Sequence, residues 1–300
     1  MLSLVQQPMN IAIFSKTIPE ESLFYIQSII DELQSKNCGI LFYGPFYEKV
    51  KAQIRIPEGT GFFKTHEELE GKADFLFSIG GDGTLLDTIS LVRESGIPIL
   101  GINLGRMGFL SSIARDRIIP AIHALIDKKF KLDKRTLLRL ETGEHLFGEM
   151  NYAMNELSVY RKSPQSMLKI EAYVDDEFLN SYWADGLIVS TPTGSTAYSL
   201  SNGGPIILPG SQNFVITPIA THNLTVRPIV IPDSSQIRIK VVGRVKEFYV
   251  NLDSRSVLVD SSMELMINRE DFKINLVRLE EDSYFKTIRD KLLWGLDIRN

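Results

Sequence analysis

Apolar and polar positions change period several times along the first part of the chain. MNIAIFS, residues 9–15, is a short apolar run and reads as a buried strand. PEESLFYIQSIIDELQSKNCG, residues 19–39, repeats apolar positions every three to four residues and reads as an amphipathic helix. Pro19 and two glutamates suit its first turn, and Gly39 suits its end. ILFY follows as a second strand, whereas residues 44–71 are mixed and show no clear period. FLFSIG (75–80) reads as a strand, TLLDTISLVRES (84–95) as a helix, IPILGIN (97–103) as a strand and RDRIIPAIHALIDKKF (115–130) as a closing helix. Strands alternating with helices over this length predict a parallel sheet with crossover helices.

From about residue 131 to 275 the pattern becomes short β-like runs with almost no helical period. They are RTLLRLE, HLFGEMNYAMNELSVYR, MLKIEAYV, FLNSYWADGLIVS, FVITPIA, QIRIKVV, EFYVNL, SVLVD and FKINLVRL. Val174-Asp175-Asp176-Glu177 has the chemistry of a hairpin turn. This half is predicted to be a sandwich or layered sheets. SYFKTIRDKLLWGLD, residues 283–297, is helical again, and its apolar face needs a partner, which the first half can supply.

Composition narrows the class. Of 300 residues, 44% are hydrophobic and 23% charged, with a net charge of −4, so the chain is of ordinary globular make-up and has no basic excess for nucleic acid. A single cysteine, Cys38, rules out an internal disulfide and fits a reducing, cytoplasmic setting; it reads as a small buried residue. MLSLVQQPMN has neither a basic nor an apolar leader segment, and the apolar runs are shorter than the ~20 residues of a membrane helix, so no membrane is expected.

Gly80-Gly81-Asp82-Gly83-Thr84 joins a predicted strand to a predicted helix. At such a strand end, glycines and unpaired helix N–H groups suit a phosphate, and Thr84 can cap the helix. Asp82 would repel that phosphate unless it serves an incoming hydroxyl or faces a metal. A plain strand-to-helix turn also contains Asp-Gly. GINLGRMGFL, residues 101–110, is a second glycine-rich loop, where Arg106 is a candidate for phosphate and Phe109 reads as core. Neither GTGFFKT (59–65) nor GINLGRMG has the spacing of a Walker A loop or a dinucleotide-binding fingerprint.

In the second half, Asn155-Glu156 interrupts an apolar run, and an amide and a carboxylate there suit an adenine edge and sugar hydroxyls, or else an edge position in water. ADGLIVSTPTGSTAYSLSNGGPII, residues 184–207, is rich in small and hydroxylic residues, suited to a base and ribose, with Asp185 as a further acceptor. The four histidines form no HExxH, CxxC is absent, and Ser195 does not sit in GxSxG, so neither a zinc site nor a hydrolase elbow is supported. His123 reads as structural, and His222 stays outside the catalytic set.

Taken together, GGDGTLL (80–86), GINLGRMGFL (101–110), MNELSV (154–159), DGLIVSTPTGSTAYSLSNGGPI (185–206), ITPIATHNLTVRPIVIP (216–232) and YFKTIRDKLLWG (284–295) resemble the NAD kinases. GGDGT is shared with diacylglycerol and sphingosine kinases, whereas the TPTGSTAYSLSNGGP run with an Asn-Glu pair upstream separates NAD kinases from them. The resemblance implies an α/β domain with the GGDG loop over residues 1–125 and 278–300, and a β-sandwich-like NAD-binding domain over 126–277. The C-terminal helix would return to the first domain, with NAD in a crevice shared by the two. ATP, or polyphosphate, with a divalent cation such as Mg²⁺ would phosphorylate the adenosine ribose 2′-hydroxyl of NAD. Asp82 would be the general base, and Gly80, Gly81, Thr84 and Arg106 would face phosphates. Gly83, Asn155, Glu156, Asp185, Thr196, Ala197, Tyr198 and Ser201 would bind the dinucleotide. No dedicated metal ligands are implied, and a homodimer or homotetramer is. A lipid kinase of the GGDGT group and a non-catalytic dinucleotide sensor are the alternatives.

Overall fold

A computed structural model describes residues 8–17, 19–105 and 108–294. In chain order its elements are β1 (Asn10–Phe14), α1 (Leu23–Ser35), β2 (Gly39–Tyr43), α2 (Gly44–Val50), β3 (Gly61–Phe63), α3 (His66–Leu69), β4 (Phe75–Ile79), α4 (Asp82–Val92), β5 (Ile99–Ile102) and α5 (Ile118–Ile126). There follow β6 (Phe130–Glu141), β7 (Tyr152–Ala153), β8 (Glu156–Arg161), β9 (Leu168–Val174), β10 (Glu177–Ala184), β11 (Gly186–Ser190), α6 (Tyr198–Ser201) and β12 (Asn213–Ile219). The last are β13 (Ile229–Pro232), β14 (Ile237–Val242), β15 (Glu247–Leu252), β16 (Arg255–Asp260), β17 (Glu264–Leu279) and α7 (Tyr284–Leu292). The chain divides into two compact units, Met1–Asp133 with Ile274–Asn300, and Lys134–Lys273.

The first unit is built on a parallel sheet in the order β3-β2-β1-β4-β5, with the end of β17 beside β5 through Leu276 and Ile99. Its central strands are buried along their length, as strands covered on both faces must be. Helix α1 turns Ile26, Ile29, Ile30 and Leu33 to one side, and they share a core with Ala121, Ile122 and Leu125 of α5. That i, i+3, i+4, i+7 spacing is the stripe read from the sequence. The strand order runs outward in both directions from β1 and β4, and ligands of doubly wound sheets bind outside strand ends at such a reversal. The stretch without a clear period holds α2, β3 and α3; β3 has three residues and α3 four, too few to display a repeat. The C-terminal helix α7 belongs to this unit and buries Ile288.

The second unit packs an antiparallel sheet, β10-β9-β14-β17, against another, β13-β12-β11-β8-β15-β16, with one apolar core drawn from both. Alternation is clearest in β14, where Ile237, Ile239 and Val241 point inward and their neighbours do not. The β9–β10 hairpin turns on Asp175 and Asp176 at φ 51° and 66°, the left-handed pair of a tight two-residue turn. FLNSYWADGLIVS is not one strand. The chain breaks at Asp185, with β10 paired to β9 in one sheet and β11 to β8 and β12 in the other. HLFGEMNYAMNELSVYR is likewise divided, with turn ahead of β7 and a break between β7 and β8. Cys38 is half-buried against the first unit's core rather than enclosed. Among the described residues no helix is long and apolar enough to cross a membrane.

Candidate functional site

The first cluster begins where β4 ends. The Gly80 N–H donates to the Ile102 carbonyl of β5 at 2.8 Å, which ties the two strand ends together. Helix α4 starts two residues earlier than its apolar period indicates: Gly81 is the N-cap and Asp82 the first helical residue, where the helix dipole favours an acid. Thr84 is therefore not the cap. It lies inside the first turn, its N–H donating to the Gly81 carbonyl at 3.0 Å. A side chain at Gly81 or Gly83 would meet nothing within 4 Å, so the backbone there is open to a ligand.

Asp82 is held by the second glycine-rich loop. Its Oδ2 accepts from the Phe109 N–H at 2.8 Å, and its Oδ1 from the N–H groups of Leu110 at 3.1 Å and Ser111 at 2.9 Å. The carboxylate lies so close to Gly108 that a Cβ there would stand 1.7 Å from Asp82 Oδ1. A carboxylate has about four acceptor directions, and these three bonds leave capacity for one further donor. Phe109, expected in the core, is half-buried on this loop. Arg106 lies outside the described residues. Ser15 and Lys16, not singled out from the sequence, stand just after β1 at the reversal of strand order. Ser15 donates to the Ile79 carbonyl at 2.7 Å, and Lys16 pairs with Asp87 of α4 at 2.6 Å.

The second cluster lies in the other unit. Asn155 sits in the break between β7 and β8, and Glu156 opens β8. Three successive N–H groups there, of Met154, Asn155 and Glu156, donate to the Asp253 carboxylate at 3.0, 2.8 and 3.2 Å. Asp253 occupies the turn between β15 and β16 at φ 51°, and its own N–H donates to the Glu156 carbonyl at 3.0 Å. Arg255 binds the carbonyls of Met150 and Tyr152. From the other side Thr191 holds the Asn155 carbonyl through its N–H at 2.9 Å, and the Met154 carbonyl through its hydroxyl at 2.5 Å. Gly194 packs so closely that a Cβ would lie 2.0 Å from the Asn155 carbonyl oxygen.

Thr196 and Ala197 continue this loop half-buried, while Tyr198 and Ser201 of α6 are exposed. The structure thus brings Asn155 and Glu156 onto the TPTG turn that leads to Thr196, Ala197, Tyr198 and Ser201. Asp185 is not with them. It precedes β11 at the end opposite the turn, since Ser190 pairs with Glu156 and Gly186 with Tyr160. Five residues of strand separate the two by about 17 Å at roughly 3.4 Å per residue. Asp185 there pairs with Arg161 at 2.8 Å. His222 is exposed and joined by its N–H to the Trp183 carbonyl, and His123 is exposed on α5 against Glu32.

Burial, and then the neighbouring Asp253 charge, push the Glu156 carboxyl from an ordinary 4.5 up to about 8. Its Oε2 is buried and has no hydrogen-bond partner in the protein. Burial also pushes Asp253 up, against the pull of its three N–H donors. Glu156 therefore carries a proton at neutral pH and offers an O–H as well as an acceptor. Among the described residues no group of three or more His, Cys, Asp or Glu side chains is placed to hold a metal ion.

Two family models match the chain: the ATP-NAD kinase N-terminal domain over residues 11–130 and the ATP-NAD kinase C-terminal domain over 154–279. The NAD kinase of Cytophaga hutchinsonii is 45% identical over 293 residues, which is 97% of this chain and 100% of the relative. The crystal structure of yeast NADH kinase complexed with NADH superposes with a TM-score of 0.87 at 25% identity, covering 98% of this chain and 90% of that one. An NAD kinase from Archaeoglobus fulgidus in complex with ATP shares the fold, with a TM-score of 0.72 at 24% identity over 95% of this chain and 99% of that one. Matches over both units set aside the lipid-kinase alternative that GGDGT alone leaves open.

Proposed function

This chain belongs to the NAD kinase family, and on that premise we propose that Asp82 is the base that takes the proton of the adenosine ribose 2′-hydroxyl while ATP delivers its γ-phosphoryl to that oxygen. The observation that carries this reading is the seat of Asp82. Its carboxylate is fixed by three backbone N–H groups, retains capacity for one more donor, and is flanked by two glycines that face open space. A hydroxyl donating into that capacity is oriented and deprotonated by the same oxygen. Phosphoryl transfer asks for little else from protein beyond alignment and charge stabilisation. Gly80, Gly81 and Thr84 face the phosphates of the donor. Mg²⁺ would come with ATP as part of the substrate and would screen the charge of its phosphates.

Asn155 pairs with the adenine edge, and Glu156, as a neutral acid, both donates to and accepts from hydroxyls of the dinucleotide. Gly83, Thr196, Ala197, Tyr198 and Ser201 line its base and ribose pockets. Asp185 is too far along β11 to share a contact with Glu156. Either an extended dinucleotide reaches both residues, or a second copy of the chain contributes its Asp185. The homodimer or homotetramer that the family resemblance implies, with a cytoplasmic location, supplies that second copy.

The test is Asp82→Asn assayed with NAD, ATP and Mg²⁺ for NADP⁺. Loss of a general base lowers kcat about 10²–10⁴-fold, with NAD affinity by calorimetry held. Turnover near that of the unaltered protein refutes the assignment. Polyphosphate in place of ATP in the same assay defines the donor.

A further inference from the structure

Resting on the assignment of Asp82 as the base, we propose that Arg278 is a positioning residue for the reaction. It grips the carbonyl side of two of the three peptide groups whose N–H sides grip the Asp82 carboxylate. Arg278 Nη2 donates to the Phe109 carbonyl at 3.2 Å and Nη1 to the Leu110 carbonyl at 3.3 Å. The Phe109–Leu110 peptide carries the Leu110 N–H, and the Leu110–Ser111 peptide carries the Ser111 N–H; both donate to Asp82 Oδ1, at 3.1 and 2.9 Å. Each of these peptides therefore has a cation at its oxygen and an anion at its nitrogen.

Two consequences follow from elementary electrostatics. A carbonyl that accepts from a guanidinium polarises its peptide and makes the N–H on the far side a stronger donor, an effect of about 10–30% per bond in a chain of hydrogen bonds. The planar fork of an arginine also fixes two acceptors at once, so both peptide planes, and with them the carboxylate, are set by one rigid group.

The guanidinium is itself well anchored. Its Nε donates to Asp133 Oδ2 at 3.3 Å, and its side chain is 16% exposed. Arg278 rides on β17, whose neighbouring Leu276 pairs with Ile99 of β5, so its base is a sheet rather than a loop. The loop needs such an anchor. Phe109 and Ser112 line a cavity of about 430 Å³, with Arg278 and Asp133 in the same wall, so close-packed side chains do not back the loop on that side. Arg278 reaches the seat of the base through the main-chain carbonyls of Phe109 and Leu110, so its removal should act on turnover and leave the substrate sites as they are.

A four-enzyme cycle tests this: the unaltered protein, Arg278→Met, Asp82→Asn and the double variant. NADP⁺ formation is read as kcat and NAD KM separately, beside a thermal melt of each. Arg278→Met is expected to lower kcat about 10- to 100-fold, the usual effect of misplacing a reacting group by about 1 Å, with NAD KM unchanged within about twofold. In the Asp82→Asn background the same change should alter the residual rate by less than about twofold. Arg278→Lys, which keeps a cation but binds one carbonyl at a time, should recover part of kcat, and it carries the cycle if Arg278→Met does not fold.

An unchanged kcat in a variant that melts like the unaltered protein overturns the proposal. So does a full loss that persists without Asp82, because the arginine would then act by another route. If Asp82→Asn alone turns over normally, the base assignment falls, and that failure is read on the single variant, apart from the behaviour of Arg278.

Discussion

Glu156 provides the sharpest quantitative test, because a proton on a carboxyl at neutral pH leaves a signature in stability. The folded protein holds that proton up to about pH 8, whereas an ordinary glutamate releases it near 4.5. Below about pH 4.5 both folded and unfolded chains carry the proton. Between there and about pH 8 only the folded chain does, so it binds more protons than the unfolded one, and stability falls as pH rises. Above about pH 8 the loss is complete. A rise of about 3.5 at roughly 1.4 kcal/mol each is on the order of 5 kcal/mol.

Glu156→Gln removes the titration and keeps the shape of the neutral acid. The variant and the unaltered protein should have similar urea midpoints at pH 5 and diverge by pH 9, with the variant more stable. At a slope near 2 kcal/mol/M, 5 kcal/mol amounts to a gap of about 2 M. Titrating groups away from this site are present in both proteins and cancel, so the change in the gap reports on Glu156 together with Asp253, whose charge acts on it. Unfolding followed by far-UV circular dichroism at pH 5, 7 and 9 measures it. An equal gap at all three values means the proton is not on Glu156, and the reading of that residue as a hydrogen-bond donor to the dinucleotide falls.

Two further substitutions address the seats of the two clusters. Gly108→Ala puts a Cβ where Asp82 Oδ1 now lies, 1.7 Å away, so the carboxylate must leave its place. kcat should drop by about 10²-fold with NAD binding by calorimetry held, and a rate like that of the unaltered protein would show that the position of the carboxylate does not matter. Asp253→Ala strips the acceptor from the N–H groups of Met154, Asn155 and Glu156. About 3 kcal/mol or more of stability should be lost in thermal melts, together with a raised NAD KM, and an unaltered KM would detach Asp253 from the dinucleotide site.

How far these clusters are legible in the sequence depends on the kind of contact. The alternating elements of the first unit show because their apolar periods are long, as in α1. The hairpin at Asp175-Asp176 shows because a left-handed pair demands particular residues. The glycine-rich loops show because open backbone has a composition. Asp253 and Arg278 do not, although each bonds successive peptide groups around a candidate site residue. Their partners are backbone N–H and carbonyl groups, which every residue carries, so no pairing of residue types betrays them. For Arg278 the sequence does hold a local oddity, a charged residue among mainly apolar neighbours in INLVRL, whereas Asp253 in the polar stretch NLDSRSV has none. Thr84 shows the converse failure. Its hydroxyl suits a cap, but the helix begins at Asp82, where the dipole rewards an acid.

The two clusters also share a construction that bears on how loops can host chemistry. In each, one aspartate gathers three successive N–H groups: Asp82 those of Phe109, Leu110 and Ser111, and Asp253 those of Met154, Asn155 and Glu156. In each, one arginine gathers nearby carbonyls: Arg278 those of Phe109 and Leu110, and Arg255 those of Met150 and Tyr152. A loop cannot satisfy its backbone groups with ladder hydrogen bonds, and a reactive site must keep it from moving by more than about half an ångström. A carboxylate and a guanidinium meet both needs together, because charged partners bind backbone groups more strongly than neutral ones. The two seats differ in what the carboxylate does next. Asp253 spends its charge on the turn and, second to burial, adds to the proton affinity of the glutamate beside it. Asp82 stands between glycines that face open space, so the same device leaves it an acceptor direction for the hydroxyl of the proposed reaction.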